Sequence, residues 1–202
     1  MAVQSRRAPA GTVDGIIDLA PGKIATVATF LDLRATDARR LPQAGLFEPL
    51  AKDLARYRRL YARVGERWLW FSRRVMPDVR LEAIVDHPAV EALALVDGAD
   101  DIGMIELDFR KPGVCELSFL GLVSEAIGRG LGQVLIGEAI RRAFSRPVAR
   151  LWLHTCTLAH PGALQFYMAA GFRPYRRAVE IADDPRLAGH LPRDAAPDLP
   201  IL

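Results

Sequence analysis

The sequence predicts a mixed α/β layer fold, and three observations predict it. Between residues 90 and 123 three short β-rich apolar runs are joined by turn signals, which reads as an antiparallel meander. Apolar residues at three- and four-residue spacing before and after the meander mark amphipathic helices. A strand–helix–strand alternation closes the pattern, giving the order β-α-α-β-β-β-α-β-α-β. With 202 residues, half of them hydrophobic, the chain is long enough for a real core and fits one domain over residues 23–182.

Taken in order, residues 1–22 are rich in Ala, Gly and Pro and read as an irregular arm. KIATVATFLDLR (Lys23 to Arg34) is β-branched and apolar, a good first strand. From Leu46 to Val64, apolar residues at Leu50, Leu54, Tyr57, Leu60, Tyr61 and Val64 predict an amphipathic helix that Gly65 stops. The aromatic and basic connector GERWLWFSRR follows, and a second helix spans Asp78 to Asp86, ended near His87 and Pro88.

The meander strands are Val90 to Val96, Gly103 to Phe109 and Val114 to Val123, linked by DGADD and KPG. A helix from about Arg129 to Phe144, a strand from Ala149 to Thr157, a short helix from Pro161 to Ala170 and a last strand from Phe172 to Ile181 complete the domain. Residues 183–202, rich in Pro and Asp, read as an irregular tail draped over the surface or a partner.

Composition excludes several classes. No apolar run reaches the roughly 20 residues of a spanning helix, and the N-terminus has basic residues without an apolar stretch behind them, so no membrane role and a cytoplasmic location are expected. Cys115 and Cys156 each lie in a strand-like apolar run, as small buried hydrophobes do, and no Cys/His ligand cluster occurs, so no metal is expected. A net charge of +3 carried by scattered Arg does not argue for nucleic acid.

The stretch SEAIGRGLGQVLIGEAI (Ser124 to Ile140) carries the chemistry. Glycines 128, 130 and 132 surround Arg129 and run directly into a helix. A helix N-terminus leaves backbone N–H groups without partners at the positive end of the dipole, and glycine lets that backbone approach an anion closely. The spacing fits neither the dinucleotide fingerprint nor the Walker loop. A purely structural turn remains the alternative.

GRGLG, preceded by ELSFLGLV and followed by QVLIGEAIRRAF, resembles the Q/R-x-x-G-x-G/A motif of the GNAT superfamily of acyl-CoA-dependent N-acetyltransferases. Gly130 and Gly132 fall on the signature glycines, and Ile127 falls where the family usually has Gln or Arg. Downstream, RLWLHTCTLAHPGALQFYMAAGFRPYRR is similar to the family's last strand–helix–strand unit. The two motifs span roughly Glu116 to Arg177. The resemblance implies a central mixed, mostly antiparallel sheet flanked by helices, acetyl-CoA as cosubstrate and an amine of a small molecule or peptide as acceptor. It allows a homodimer and leaves the oligomeric state and the acceptor open.

It also implies roles for single residues. The amides of Ile127, Gly128, Arg129, Gly130, Leu131, Gly132 and Gln133 would hold the coenzyme A pyrophosphate, and main-chain groups near Leu120, Leu122 and Val123 the pantetheine. Tyr167 sits at the family's tyrosine position, where a phenol protonated at neutral pH can donate to a leaving thiolate; by spacing alone it reads as a core tyrosine on one helical face with Leu164, Met168 and Gly171. Glu116 lies 14 residues before Gly130, the separation at which related enzymes carry a strand glutamate as base; its alternation with Cys115 and Leu117 also fits a solvent-facing position, and a water chain can replace it. His160 caps the following helix or contacts the cofactor, and His154 reads as a strand histidine. Glu66, Trp68 and Trp70 border the acceptor pocket of similar folds or serve the core. Besides the acetyltransferase, the sequence admits a non-catalytic acyl-CoA-binding module and, less well by glycine spacing, a nucleotide-binding regulator.

Overall fold

The computed structural model describes residues 14–38, 41–42 and 45–202, so the first 13 residues of the expected N-terminal arm lie outside it. Seven strands form one sheet: β1 (Lys23–Arg34), β2 (Leu46–Pro49), β3 (Val90–Asp97), β4 (Asp100–Asp108), β5 (Val114–Leu122), β6 (Arg150–Cys156) and β7 (Arg173–Asp183). Helices α1 (Leu54–Gly65), α2 (Asp78–Val85), α3 (Leu131–Phe144) and α4 (Ala163–Ala169) complete the order. The spatial order is β2-β3-β4-β5-β6-β1-β7, antiparallel throughout except for the parallel pair β5–β6. Mixed layers and a mostly antiparallel sheet are as the sequence predicted.

Burial explains the placement of the first and last strands. β1 carries Leu31 and Leu33, both fully buried, and takes the interior slot between β6 and β7. β7 reads RPYRRAVEIAD, charged and opened by a proline, and takes the edge, where a missing N–H and solvated charges cost least.

One element departs from expectation. Leu46–Pro49 is a strand paired with β3, not the first turn of α1. Pro49 disfavours helical geometry at the residue before it and supplies no N–H, and the Leu50 N–H then donates to the Ala92 carbonyl. The helix begins only after Asp53, whose carboxylate accepts from the Arg56 N–H at 2.9 Å. Leu50, apolar at the helical spacing, is fully buried without belonging to the helix.

Helix α1 packs on the sheet face bearing Glu106 and Gly121; α3 covers the face bearing Gly103 and Leu122. On α3 the buried Leu135, Ile136, Ala139, Ile140 and Ala143 form the inward stripe, each of the larger side chains stabilising the fold by about 1.5–3 kcal/mol. The tail beyond Asp183 has neither helix nor strand, yet it is anchored. The Arg186 guanidinium is buried, pairs twice with Asp184 (2.8 and 3.0 Å) and donates to the carbonyls of Ala195, Ala196 and Leu199. Around it Leu191 and Ala195 pack with Ile24 and with Leu69 of the connector. Among the described residues no helix is long and apolar enough to cross a membrane.

Candidate active site

Two glycines shape the loop before α3. Gly128 (φ +85°) and Gly130 (φ +78°) adopt the left-handed region, with nothing within 4 Å of an added Cβ, so conformation rather than space requires them. Gly132 differs: a Cβ there would stand 3.2 Å from the Phe166 ring of α4. The Ile127 N–H is taken by the Ser124 carbonyl and the Gln133 N–H by that of Gly130. The amides of Gly128, Arg129 and Gly130, with the first helical amides of Leu131 and Gly132, are therefore the donors left over. Arg129 pairs with Asp97 at 2.9 Å on the surface, and Ile127 is exposed.

Upstream of the loop the sheet parts. β5 pairs with β6 only at Val114, Cys115 and Glu116, the last opposite Trp152. From Leu117 to Leu122 the strand keeps its ladder to β4 alone, and a bulge opposite Glu106/Leu107 leaves Ser118 out of register. The edge facing β6 thus has backbone groups without ladder partners, Leu120 and Leu122 among them. Val123 is buried, its N–H donates to the Ile102 carbonyl and its carbonyl accepts from the Ala126 N–H, so the backbone groups without partners end at Leu122.

Glu116 stands where the two strands separate. It is half-buried, makes no side-chain hydrogen bond to a described residue, and borders a cavity of about 200 Å³ with Asp108, Arg110, Lys111, Val114 and Trp152. Burial, reinforced by the Asp108 charge, holds its carboxyl above the ordinary glutamate value. For Asp108, burial works in the same direction but the Arg110 guanidinium outweighs it and keeps that carboxyl low.

Tyr167 lies in α4 against Phe166 and Phe172 (ring centroids 5.2 and 6.0 Å), and burial pushes its phenol above the ordinary value. Its hydroxyl bonds no described residue, yet it is not closed off from solvent. The His160 Nδ1 accepts from the Gly162 N–H at 3.0 Å, so the histidine shapes the turn into α4; its ring meets Trp68 at 5.4 Å. Trp70 belongs to the core, wedged between Tyr61, Phe119 and Gly121. Glu66 pairs with Arg74. His154 sits on β6 beside Phe30, its pKa lowered by burial. Cys115 and Cys156 are free thiols, and among the described residues no group of three or more His, Cys, Asp or Glu could hold a metal.

Sequence reasoning missed a second polar cluster on the same sheet face. Glu106 of β4 is fully buried, accepts from the Tyr57 hydroxyl and binds the Arg73 guanidinium at 2.5 Å. Burial works against the Arg73 cation, but the Glu106 charge more than compensates and raises its pKa; the Arg73 Nε is left without a partner. Burial and Glu106 together push the Tyr57 phenol well up. The sequence does carry a signal: GMIEL places Glu106 within an apolar central strand, a position that demands a cation.

The sequence model of the Acetyltransferase (GNAT) family matches residues 54–172. No curated protein matches the chain. Among solved structures, a putative GNAT-family acetyltransferase from Novosphingobium aromaticivorans is 18% identical, with 80% of this chain and 67% of that one covered and a TM-score of 0.56. A GCN5-related N-acetyltransferase from Sphaerobacter thermophilus is 14% identical (80% and 53% covered, TM-score 0.59). Arabidopsis thaliana NAA60 in complex with a bisubstrate analogue is 20% identical (66% and 87% covered, TM-score 0.51). These likenesses concern the fold, and the chain spans only about half to two-thirds of the length of the first two.

Proposed function

The chain belongs to the Acetyltransferase (GNAT) family, and from that premise we propose that it transfers an acetyl group from acetyl-CoA to a primary amine of a small molecule or peptide by direct attack in a ternary complex. The observation that carries the reading is the parting of β5 from β6 beyond Glu116, directly upstream of a loop with five unspent amides. Acetyl-CoA supplies the activated thioester. The amides of Gly128 to Gly132 bind its pyrophosphate, with the helix dipole behind them, and the free edge of Leu120 and Leu122, continued by Val123, lines the pantetheine arm. A backbone N–H of that edge can donate to the thioester oxygen as negative charge develops on it.

Glu116 takes a proton from the acceptor ammonium, for which a carboxyl raised by burial is better matched than an ordinary one. The amine nitrogen then bonds to the acyl carbon, the carbon–sulfur bond breaks, the nitrogen releases its surplus proton to solvent, and Tyr167 protonates the thiolate and is itself reprotonated from solvent. The cavity beside Glu116 and Trp152 is the proposed place for the acceptor amine.

A second reading, a module that binds acyl-CoA without catalysis, draws on Ile127: the residue is apolar where the family has Gln or Arg, and its amide is already bonded. Calorimetric binding of acetyl-CoA combined with CoA release on addition of polyamines, amino acids, aminoglycosides or lysine peptides separates the two. Release with at least one amine class is expected; binding without release from any amine favours the second reading.

A further inference from the structure

The edge strand β7 is long and open. It runs for 11 residues, and among the described residues no strand or helix pairs with its outer side. Val179 and Ile181 are 66% and 55% exposed on it. Unpaired N–H and C=O groups beside exposed apolar side chains form a template for another strand. The reaction proposed above makes no use of this edge.

We propose that two copies of the chain pair antiparallel through β7 about a twofold axis at Ala178, which joins their sheets into one continuous sheet. Charge register on the observed fold selects this pairing. A twofold axis perpendicular to a sheet keeps each side chain on its own face, so the axis must pass through a residue rather than between two. Centred on Arg176, Arg177 or Glu180, the pairing sets like charges opposite one another, which destabilises a ladder. Centred on Val179, it opposes no unlike charges.

Centred on Ala178, Arg176 faces the partner's Glu180 and Glu180 faces the partner's Arg176, while Arg177 flanks the partner's Val179. Both members of the charged pair lie on one face: the register sets Phe30 opposite Arg176, Ala28 opposite Ala178 and Thr26 opposite Glu180. The Arg176 guanidinium rests 3.6 Å from the Phe30 ring centroid, which holds it on that face. Of the β7 charges, Asp183 pairs with Lys23 and Arg173 approaches Asp37, whereas Arg176, Arg177 and Glu180 have no ionic partner among the described residues.

Light scattering and sedimentation of the full chain test this. A dimer is expected for the wild type at micromolar concentration. Arg176→Glu and Glu180→Arg each oppose like charges twice and should weaken the dimer by at least about ten-fold. The double variant restores opposite charges in the same register and should restore the mass. Both positions are on a solvent-facing edge, and unchanged circular dichroism and melting establish that the variants fold. Deletion of residues 1–13 should leave the dimer intact. A monomeric wild type, a double variant as weak as its parents, or loss of the dimer on that deletion each overturns the proposal. The readout is mass, so its failure leaves the proposed reaction untouched.

Discussion

The molecule contains two glutamate–tyrosine sets built of the same chemistry and put to different ends. Glu106 and Tyr57 lie deep between β4 and α1, bonded to each other and to Arg73. Glu116, on the neighbouring strand, and Tyr167, on α4, have no polar partner among the described residues and keep contact with solvent. Residue type is the same; partnering differs. A carboxylate paired with a buried guanidinium serves the fold, whereas one raised by burial and left without a donor is poised to exchange a proton.

Substitutions that remove the polar group from each set break this comparison. Glu116→Gln is expected to cut turnover by about 10²–10⁴-fold, the usual contribution of a positioned base. Its stability should hold or improve. The folded chain binds the Glu116 proton more tightly than the unfolded one, so ionisation costs stability as pH rises from the unfolded to the folded pKa, and the amide has no such cost. Chemical denaturation at neutral pH alongside CoA-release rates reads both.

Tyr167→Phe should likewise lower turnover by roughly 10²-fold or more while acetyl-CoA affinity by calorimetry stays nearly constant. Equal turnover removes this residue from the mechanism. In the partnered set the loss moves to stability: Glu106→Gln leaves Arg73 as a buried charge without compensation, at a cost of about 3–5 kcal/mol. The melting point should fall by roughly 10 °C or more. Tyr57→Phe deletes one charge-assisted hydrogen bond and should cost about 1.5–3 kcal/mol. The smallest effect belongs to Arg129→Ala, whose exposed pair with Asp97 is worth about 0–1 kcal/mol in a melting experiment.

The unpartnered set could be proposed from the sequence because the family resemblance marks it: Glu116 and Tyr167 stand at set distances from glycines whose backbone requirements are local. The partnered set could not, because Arg73 reaches Glu106 across 33 residues and only the packing of α1 on β4 brings them together. The same division holds for the fold. Helices and meander strands follow from periodicity, and the glycine turn from backbone conformation. Leu46–Pro49 misled because Leu50 is apolar at the helical spacing while Pro49 had already ended that option. Nothing local announces that β1 slips between β6 and β7, or that Arg186 gathers the tail around itself, since both depend on partners far along the chain.

The pH dependence of CoA release by the wild type and by Glu116→Gln, with an amine that the screen identifies, tests the central claim most directly. The wild-type kcat/KM is expected to rise with pH through a pKa above the ordinary glutamate value of about 4.3, and that limb should vanish in the variant while the variant stays folded. A variant with wild-type rates and the same limb would contradict the assignment of Glu116 as the base, and a wild type that binds acetyl-CoA yet releases no CoA to any amine would contradict the reaction itself.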